Sequence, residues 1–338
     1  MGKTDVSIEL AKRLSARGGS AFGGHAEIVG CDSMQVYRRM PILTQQPTHE
    51  QRAEVAHHLI DCVEPTDSFS VGQYRQVALE VIEEILRRGK TVLIAGGTGL
   101  YLKALTDGLC DAPPADASIR SRLWQAVRQE GSEVFHRRLQ QVDPQAASTF
   151  HPRDARRIVR ALEVYELTGK PLSSFWNASS AKGGSLPATG SEGQAGASGG
   201  DSHTLPMTLV GLTRDRAELY ARINHRVERM IREDGVLDEA KHVLALPFSH
   251  TARQVHGLAF LEAYLKGERT LADTIRLWQQ QVRNYARRQL IWFRAEPRIS
   301  WFMLGPDEPA ESIADRILEI LLRNFAGQNF LQSKLTNE

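Results

Sequence analysis

Apolar positions along the chain fall into short continuous runs and longer periodic stretches. Residues 26–31 form one short run, with Ile28 and Val29 suited to a buried strand, and it ends in the polar hexapeptide Asp32-Ser33-Met34-Gln35-Val36-Tyr37. Residues 91–95 form a second run, which turns off its end through Gly96-Gly97-Thr98-Gly99-Leu100-Tyr101. His57-His58-Leu59-Ile60-Asp61, residues 207–213 and the pair Trp301-Phe302 predict three further strands. Between them apolar residues recur at helical spacing. Val6, Ile8, Leu10, Ala11 and Leu14 predict a first helix stopped by Gly18-Gly19. Val71, Tyr74, Val77, Ala78, Val81, Ile82, Ile85 and Leu86 predict another, ended by Gly89. Strands alternating with helices predict an α/β fold with a parallel sheet and crossover helices.

The pattern changes at residues 111–115, where Pro113-Pro114 interrupts it, and a boundary is placed there. Residues 116–176 read as almost wholly helical, with breaks at Asp143-Pro144 and His151-Pro152. Residues 178–206 are dominated by Gly, Ser and Ala and read as a flexible surface insertion. A long amphipathic helix follows from Asp215, then two more helices before Thr251, a last long helix at about 270–295, and a C-terminal helix ending near Phe325. Residues 41–47 read as a loop. The expected division is therefore an α/β core of 1–112 and 207–325, a helical insertion of 113–177, and the insertion 178–206.

Composition narrows the class. The 338 residues are 41% hydrophobic and 24% charged, ordinary for a globular chain, and the net charge of +2 hides a basic stretch near the C-terminus. The three cysteines, Cys31, Cys62 and Cys110, are scattered, with neither metal spacing nor a disulfide framework, which suits a reducing cytoplasm. No apolar run approaches the roughly 20 residues of a membrane span, and the N-terminus enters polar sequence at once, so no signal peptide is expected.

The hexapeptide lies where a strand ends, the place where open α/β sheets bind ligands. Asp32 offers a carboxylate that acts as a general base if it reaches its target proton; the same residue serves equally as the cap of a succeeding helix. Gly2-Lys3-Thr4 ahead of a helix matches the last part of a phosphate-binding loop, in which backbone N–H groups and the lysine meet phosphate and the threonine hydroxyl meets Mg²⁺. The glycine and strand that precede this tripeptide in the full motif are not in the sequence, and alone it reads as coincidence. The second glycine turn lets a ligand approach the backbone, with Thr98 as donor; a tight turn capped by Thr98 is the plainer alternative. The adjacent His57 and His58 face opposite ways on a strand, against a shared metal. Arg153, Arg156, Arg157 and Arg160 are spaced to share one helix face, either solvated or gripping phosphates. Basic and aromatic residues interleave from Arg276 to Arg294, among them Trp278, Tyr285 and Trp292. That mixture suits phosphates and unstacked bases, or equally a core stripe with a wet basic face.

Taken together, these pieces resemble the tRNA dimethylallyltransferases, which prenylate N6 of the adenosine beside the anticodon. The resemblance covers residues 2–302 and rests on Gly2-Lys3-Thr4, the hexapeptide, Gly96-Gly97-Thr98-Gly99-Leu100-Tyr101, and His151-Pro152 with Arg157, Arg160, Ala161, Leu162 and Glu163. Tyr285-Ala286-Arg287-Arg288-Gln289-Leu290-Ile291-Trp292-Phe293-Arg294 completes it. It implies a P-loop NTPase-like parallel-sheet core that binds dimethylallyl diphosphate rather than ATP, with a helical tRNA-binding insertion domain. It implies Asp32 as general base on the adenine N6, and Gly2, Lys3, Thr4 and Arg226 on the diphosphate with Mg²⁺, Thr4 being the metal residue and Arg222 the weaker candidate. Thr98 and Arg120 would position the flipped-out adenosine, and Ser33, Met34 and Gln35 would line the nucleotide site. Arg156, Arg157, Arg160, Gln254, His256, Gly257, Arg287, Arg288, Gln289, Trp292 and Arg294 would contact tRNA. The expected partners are the anticodon stem-loop and dimethylallyl diphosphate, with the chain acting as a cytoplasmic monomer.

The chain departs from the family pattern in three ways. The upstream half of the phosphate loop is not in the sequence. Gly257-Leu258-Ala259-Phe260 stands where the family usually has Gly-Tyr-Lys/Arg-Glu, which weakens a tRNA contact. The 178–206 insertion is not typical. Absence of a Cys/His finger favours the bacterial type. Two other readings remain: a P-loop small-molecule kinase or adenylate prenyltransferase, and a tRNA-binding protein without catalysis. The basic aromatic helix argues against the first, because a small substrate needs no such surface.

Overall fold

The computed structural model describes residues 2–16, 24–176, 205 and 207–335. The expectation of a flexible insertion at 178–206 falls outside the described residues save for position 205. The chain forms two compact units. The first comprises Met1–Ser68, Ala78–Gly99 and Met207–Glu338; the second comprises Phe69–Val77 and Leu100–Pro206.

In the first unit, β1 (Gly24–Cys31) lies between β2 (His57–His58) and β3 (Lys90–Gly96), all parallel, with Ile28 beside His57 and Val29 beside Ile94. A second parallel pair joins β4 (Leu209–Thr213) to β5 (Ile299–Met303), with Leu209 beside Ile299. Parallel strands need crossovers, and α4 (Val71–Arg87) supplies the connection from β2 to β3 in the chain. The core of this unit gathers Val6, Ile8, Leu10, Ala11 and Leu14 of α1 (Lys3–Ala16), Ala26 and Ile28 of β1, Phe302, and Ile313, Ala314, Ile317 and Leu318 of α14 (Ala310–Leu335). Burial of α1 on more than one face explains why its apolar residues exceed a single stripe.

Several expectations are corrected. β2 stops at His58, because Leu59 and Asp61 turn left-handed and the chain leaves the sheet to run along the hexapeptide: Asp61 N donates to Gln35 O and Cys62 N to Val36 O. The loop expected at 41–47 contains a helical turn, α2 (Pro41–Thr44), whose Ile42 and Leu43 amides donate to the Glu239 carboxylate at 2.9 and 2.7 Å, and the short α3 (His49–Glu54) follows it. After α10 (Arg216–Arg232), only α11 (Val236–Leu244) precedes Thr251; the next helix, α12 (Leu258–Leu265), comes after Gly257. The long basic helix is α13 (Leu271–Arg294), and α14 continues past Phe325 to Leu335.

The second unit is helical: α5 (Gly99–Thr106) leads into α6 (Ala117–Glu130), α7 (Ser132–Val142), α8 (Pro144–Thr149), α9 (Ala155–Thr168) and a 3₁₀ turn at Leu172–Phe175. Leu123, Phe135, Leu139, Phe150, Ile158, Val159 and Leu162 form its core. Asp116, Asp143 and Asp154 cap α6, α8 and α9 with their carboxylates. Because Asp154 is the cap, Arg153 lies in the turn before α9 rather than on its face, and its guanidinium reaches Glu133 at 3.6 Å. No helix among the described residues is long and apolar enough to cross a membrane.

Candidate active site

At the end of β1, Asp32 Oδ1 accepts from the amides of Met34 at 2.9 Å and Gln35 at 3.4 Å. The capping alternative is therefore realised by one oxygen, while Oδ2 has no hydrogen-bond partner among the described residues. At the end of β3, the amides of Gly97 and Thr98 both donate to Cys31 O at 3.1 Å, folding the glycine turn back onto β1. The buried Thr98 Oγ1 accepts from Ser33 N at 2.9 Å, so the turn and the hexapeptide are one hydrogen-bonded edge.

The space left by the glycines is filled by the protein itself. A Cβ on Gly97 would stand 2.5 Å from Gln289 Nε2, and one on Gly99 would stand 2.4 Å from the Trp292 ring. Gln289 Nε2 donates to Gly97 O at 2.8 Å. The close approach expected of a ligand is thus made by two side chains of α13. Tyr285, one turn earlier on the same helix face, has its hydroxyl beside Gln289 and Thr98, and burial together with the nearby Asp32 pushes that hydroxyl's pKa up. Its ring meets His256 at 4.5 Å between centroids. Burial, with Arg288 beside it, lowers the His256 pKa against the opposing pull of Asp32, and His256 Nδ1 is buried without a hydrogen bond.

The start of α1 faces the same edge. Gly2 adopts φ +75° and its carbonyl accepts the first helical bond from Val6 N. Lys3 and Thr4 are the first helical residues, where amides have no partner within the helix. Lys3 Nζ would stand 3.3 Å from a Cβ on Gly97. Burial lowers the Lys3 pKa; Asp32 opposes this and Arg226 adds to it, so these three charges share one neighbourhood. Arg226 on α10 hydrogen-bonds Gln45. Arg222, one turn away, is occupied differently, by Glu218 at 2.8 Å and by the Pro306 carbonyl.

The remaining candidates divide between the units. In the first, Gln254 is exposed, while Gly257 is enclosed: its amide donates to Gln281 at 2.9 Å and a Cβ there would meet the Trp278 ring at 2.2 Å. Arg287, Arg288 and Arg294 are exposed, and among the described residues none is paired with a carboxylate. In the second unit, Arg120 and Arg160 converge on the fully buried Glu163 at 2.7 and 2.9 Å. Arg157 pairs with Asp154 at 3.4 Å over the Phe150 ring, and Arg156 is exposed. Tyr285 and Gln45 join the site without having stood out as site residues in the sequence. For Tyr285 the available signal was its i, i+4, i+7 spacing with Gln289 and Trp292; for Gln45 there was none.

A helix N-terminus carrying a lysine, a carboxylate at a strand end and a glycine turn on the neighbouring parallel strand define a P-loop-type α/β protein. The sequence pattern described as IPP transferase matches residues 35–296. The tRNA dimethylallyltransferase of Carboxydothermus hydrogenoformans is 39% identical over 328 residues, 96% of each chain. The crystal structure of the full-length tRNA isopentenylpyrophosphate transferase from Bacillus halodurans matches with a TM-score of 0.61 at 34% identity, covering 100% of this chain and 96% of that one. A eukaryotic dimethylallyltransferase acting on tRNA shares the fold, with a TM-score of 0.70 at 24% identity over 98% of this chain and 77% of that one. The chain belongs to the IPP transferase family.

Proposed function

We propose that this chain transfers the dimethylallyl group of dimethylallyl diphosphate to N6 of adenosine 37, beside the anticodon of tRNA. The observation that carries the reading is the shared neighbourhood of Asp32, Lys3 and Arg226 at the start of α1, with the glycine turn against it. The reaction forms a bond from N6 to the allylic carbon and breaks the bond from that carbon to diphosphate oxygen. The leaving diphosphate takes the electron pair. Lys3, Arg226 and the free amides of Gly2-Lys3-Thr4 stabilise its growing charge. N6 is a poor nucleophile and loses a proton, which Asp32 accepts on the oxygen not used for capping.

Thr98 and Ser33, locked together, form with Met34 and Gln35 the wall against which the adenosine sits. A base treated in this way leaves its stack at a cost of roughly a few kcal/mol. The exposed Arg287, Arg288 and Arg294, together with Gln254 and His256, offset that cost through contacts with tRNA. Arg120, Arg156, Arg157 and Arg160 of the second unit contribute further contacts. Mg²⁺ suits Thr4 at the start of α1, where the hydroxyl of a phosphate-binding loop meets the ion while substrate phosphates and water complete its shell. The Thr4 hydroxyl would hold it, and when bound it would supply further charge neutralisation for the diphosphate. We place the reaction in the cytoplasm, carried out by a monomer.

The test is transfer of labelled prenyl from dimethylallyl diphosphate to an anticodon stem-loop with adenosine at the acceptor position. Incorporation at N6 is expected. Stem-loop binding without any transfer would move the reading to a tRNA-binding protein without catalysis.

A further inference from the structure

Gln45 closes α2 with φ +56° and ψ +51°, in the left-handed region that a residue carrying a Cβ occupies at a cost. Glycine takes that conformation without strain. What glycine lacks is the side-chain amide, and here every part of the residue is engaged. Gln45 Oε1 accepts from the Arg226 guanidinium, Nε2 lies 3.8 Å from Met230 Sδ, and the backbone carbonyl accepts from Gln35 Nε2 at 2.6 Å. The turn that presents it is anchored independently. Glu239 receives the Ile42 and Leu43 amides, and Gln46 Nε2 donates to the carbonyls of Gln35 at 3.1 Å and Tyr37 at 2.7 Å.

Arg226 has no carboxylate partner among the described residues. Burial and the neighbouring Arg229 and Arg222 disfavour its charge, and Asp5 opposes them. A carboxylate at position 45 would pair with the guanidinium and cancel its charge. An amide fixes the direction of the guanidinium and leaves the charge intact.

We propose that Gln45 is a positioning residue: its neutral amide aims the charged Arg226 guanidinium at the leaving diphosphate, and its carbonyl ties the same turn to Gln35 beside the base. The inference deepens the diphosphate reading of Arg226 and rests on it. It also accounts for a strained glutamine where glycine would be comfortable.

The experiment titrates inorganic pyrophosphate into the unaltered chain, Q45E, Q45G and R226A by calorimetry, with melting temperatures and KM values for both substrates. Q45E is expected to weaken pyrophosphate binding roughly tenfold or more, through pairing with Arg226 and added negative charge. Q45G fits the backbone and is expected to keep or raise the melting temperature, yet to weaken pyrophosphate several-fold. KM for dimethylallyl diphosphate is expected to rise in both variants while KM for the stem-loop stays unchanged. Pyrophosphate binding by Q45E and Q45G as tight as in the unaltered chain, with R226A defective, overturns the role of Gln45 and leaves the diphosphate reading standing. A fall in melting temperature with equal rises in both KM values overturns it in favour of a structural role. R226A binding pyrophosphate as tightly as the unaltered chain overturns the diphosphate reading and this inference with it.

Discussion

Asp32 sits where β1 ends, with Oδ1 already committed to the amides of Met34 and Gln35. That commitment makes asparagine the informative substitution. The side-chain carbonyl oxygen of an asparagine keeps accepting from both amides, so the turn survives, while the ability to take a proton is lost. Asp32→Asn is expected to lower prenyl transfer by roughly 10²- to 10⁴-fold, the usual span for a general base, with stem-loop affinity unchanged in a filter-binding assay. Loss of binding along with activity would assign Asp32 a structural role instead. Around it, burial and Asp32 favour the protonated form of the Tyr285 hydroxyl, and burial disfavours the charged form of His256. Burial disfavours the charged form of Lys3 next to Asp32, a cost the carboxylate partly offsets.

At the scale of elements, α13 has two distinct sides. Gln289, Trp292 and Tyr285 press against the glycine turn and Thr98, while Arg287, Arg288 and Arg294 face solvent. Of the two alternatives left open by the mixed basic and aromatic pattern, the packing shows the core stripe with a wet basic face: aromatic residues pack inward and the cations stay wet, and contact of that face with tRNA is a proposal. Arg287→Ala is expected to weaken tRNA binding across sequences and to reduce the slope of log affinity against log salt by about one; an unchanged affinity and slope would remove this surface from the tRNA interface. Helices such as α1, α4, α10 and α13 were legible in the sequence because their periodic apolar residues are a local signal. Asp32, Lys3 and Thr98 were legible as candidates because each sits at an abrupt polar end of an apolar run. Arg226 entered only through the family resemblance, since nothing local separates it from Arg222. The helical turn α2 was not legible, because its amides are received by Glu239, nearly two hundred residues away in the chain. For the same reason neither alternative at the glycine turn, ligand approach or a tight turn capped by Thr98, included the side chains that pack against it: Gln289 and Trp292 lie far along the sequence. Arg160 was legible as part of a basic helix face, but nothing in the sequence marks Glu163, one helical turn on, as its fully buried partner.

At the scale of the whole molecule, each unit is organised about one buried carboxylate that gathers several cations. In the first unit Glu27 on β1 receives Arg88 through both oxygens at 2.9 Å, Lys90 at 2.5 Å and His58 at 2.7 Å. Burial would raise its pKa, but Lys90, His58 and Arg88 overcome this and hold it at about 2. The stabilisation, on the order of 2–3 kcal/mol, is fully present above pH 4.5, the ordinary value for a glutamate, and is lost as pH falls through about 2. Urea unfolding measured at several pH values should show stability falling across that window; a Glu27→Gln variant should lose this component of the slope, and an identical slope would refute the assignment. In the second unit Glu163 accepts from the Asp116 amide at 2.8 Å and from Arg120 and Arg160, and it excludes water completely, while the two arginines keep about a fifth of their side-chain surface. Removing it leaves two guanidinium groups facing an apolar gap, so Glu163→Ala is expected to destabilise the second unit by roughly 3 kcal/mol, the low end for breaking a buried pair because the arginines can turn toward solvent. Hydrogen exchange locates the loss. Amides of α6 and α9 should exchange faster in the variant, while those of β1 and β3 keep their protection, because the core of the first unit is built from residues that do not include Glu163. Equal loss of protection in both units would mean that they unfold as one, and Glu163 would then stabilise the fold as a whole.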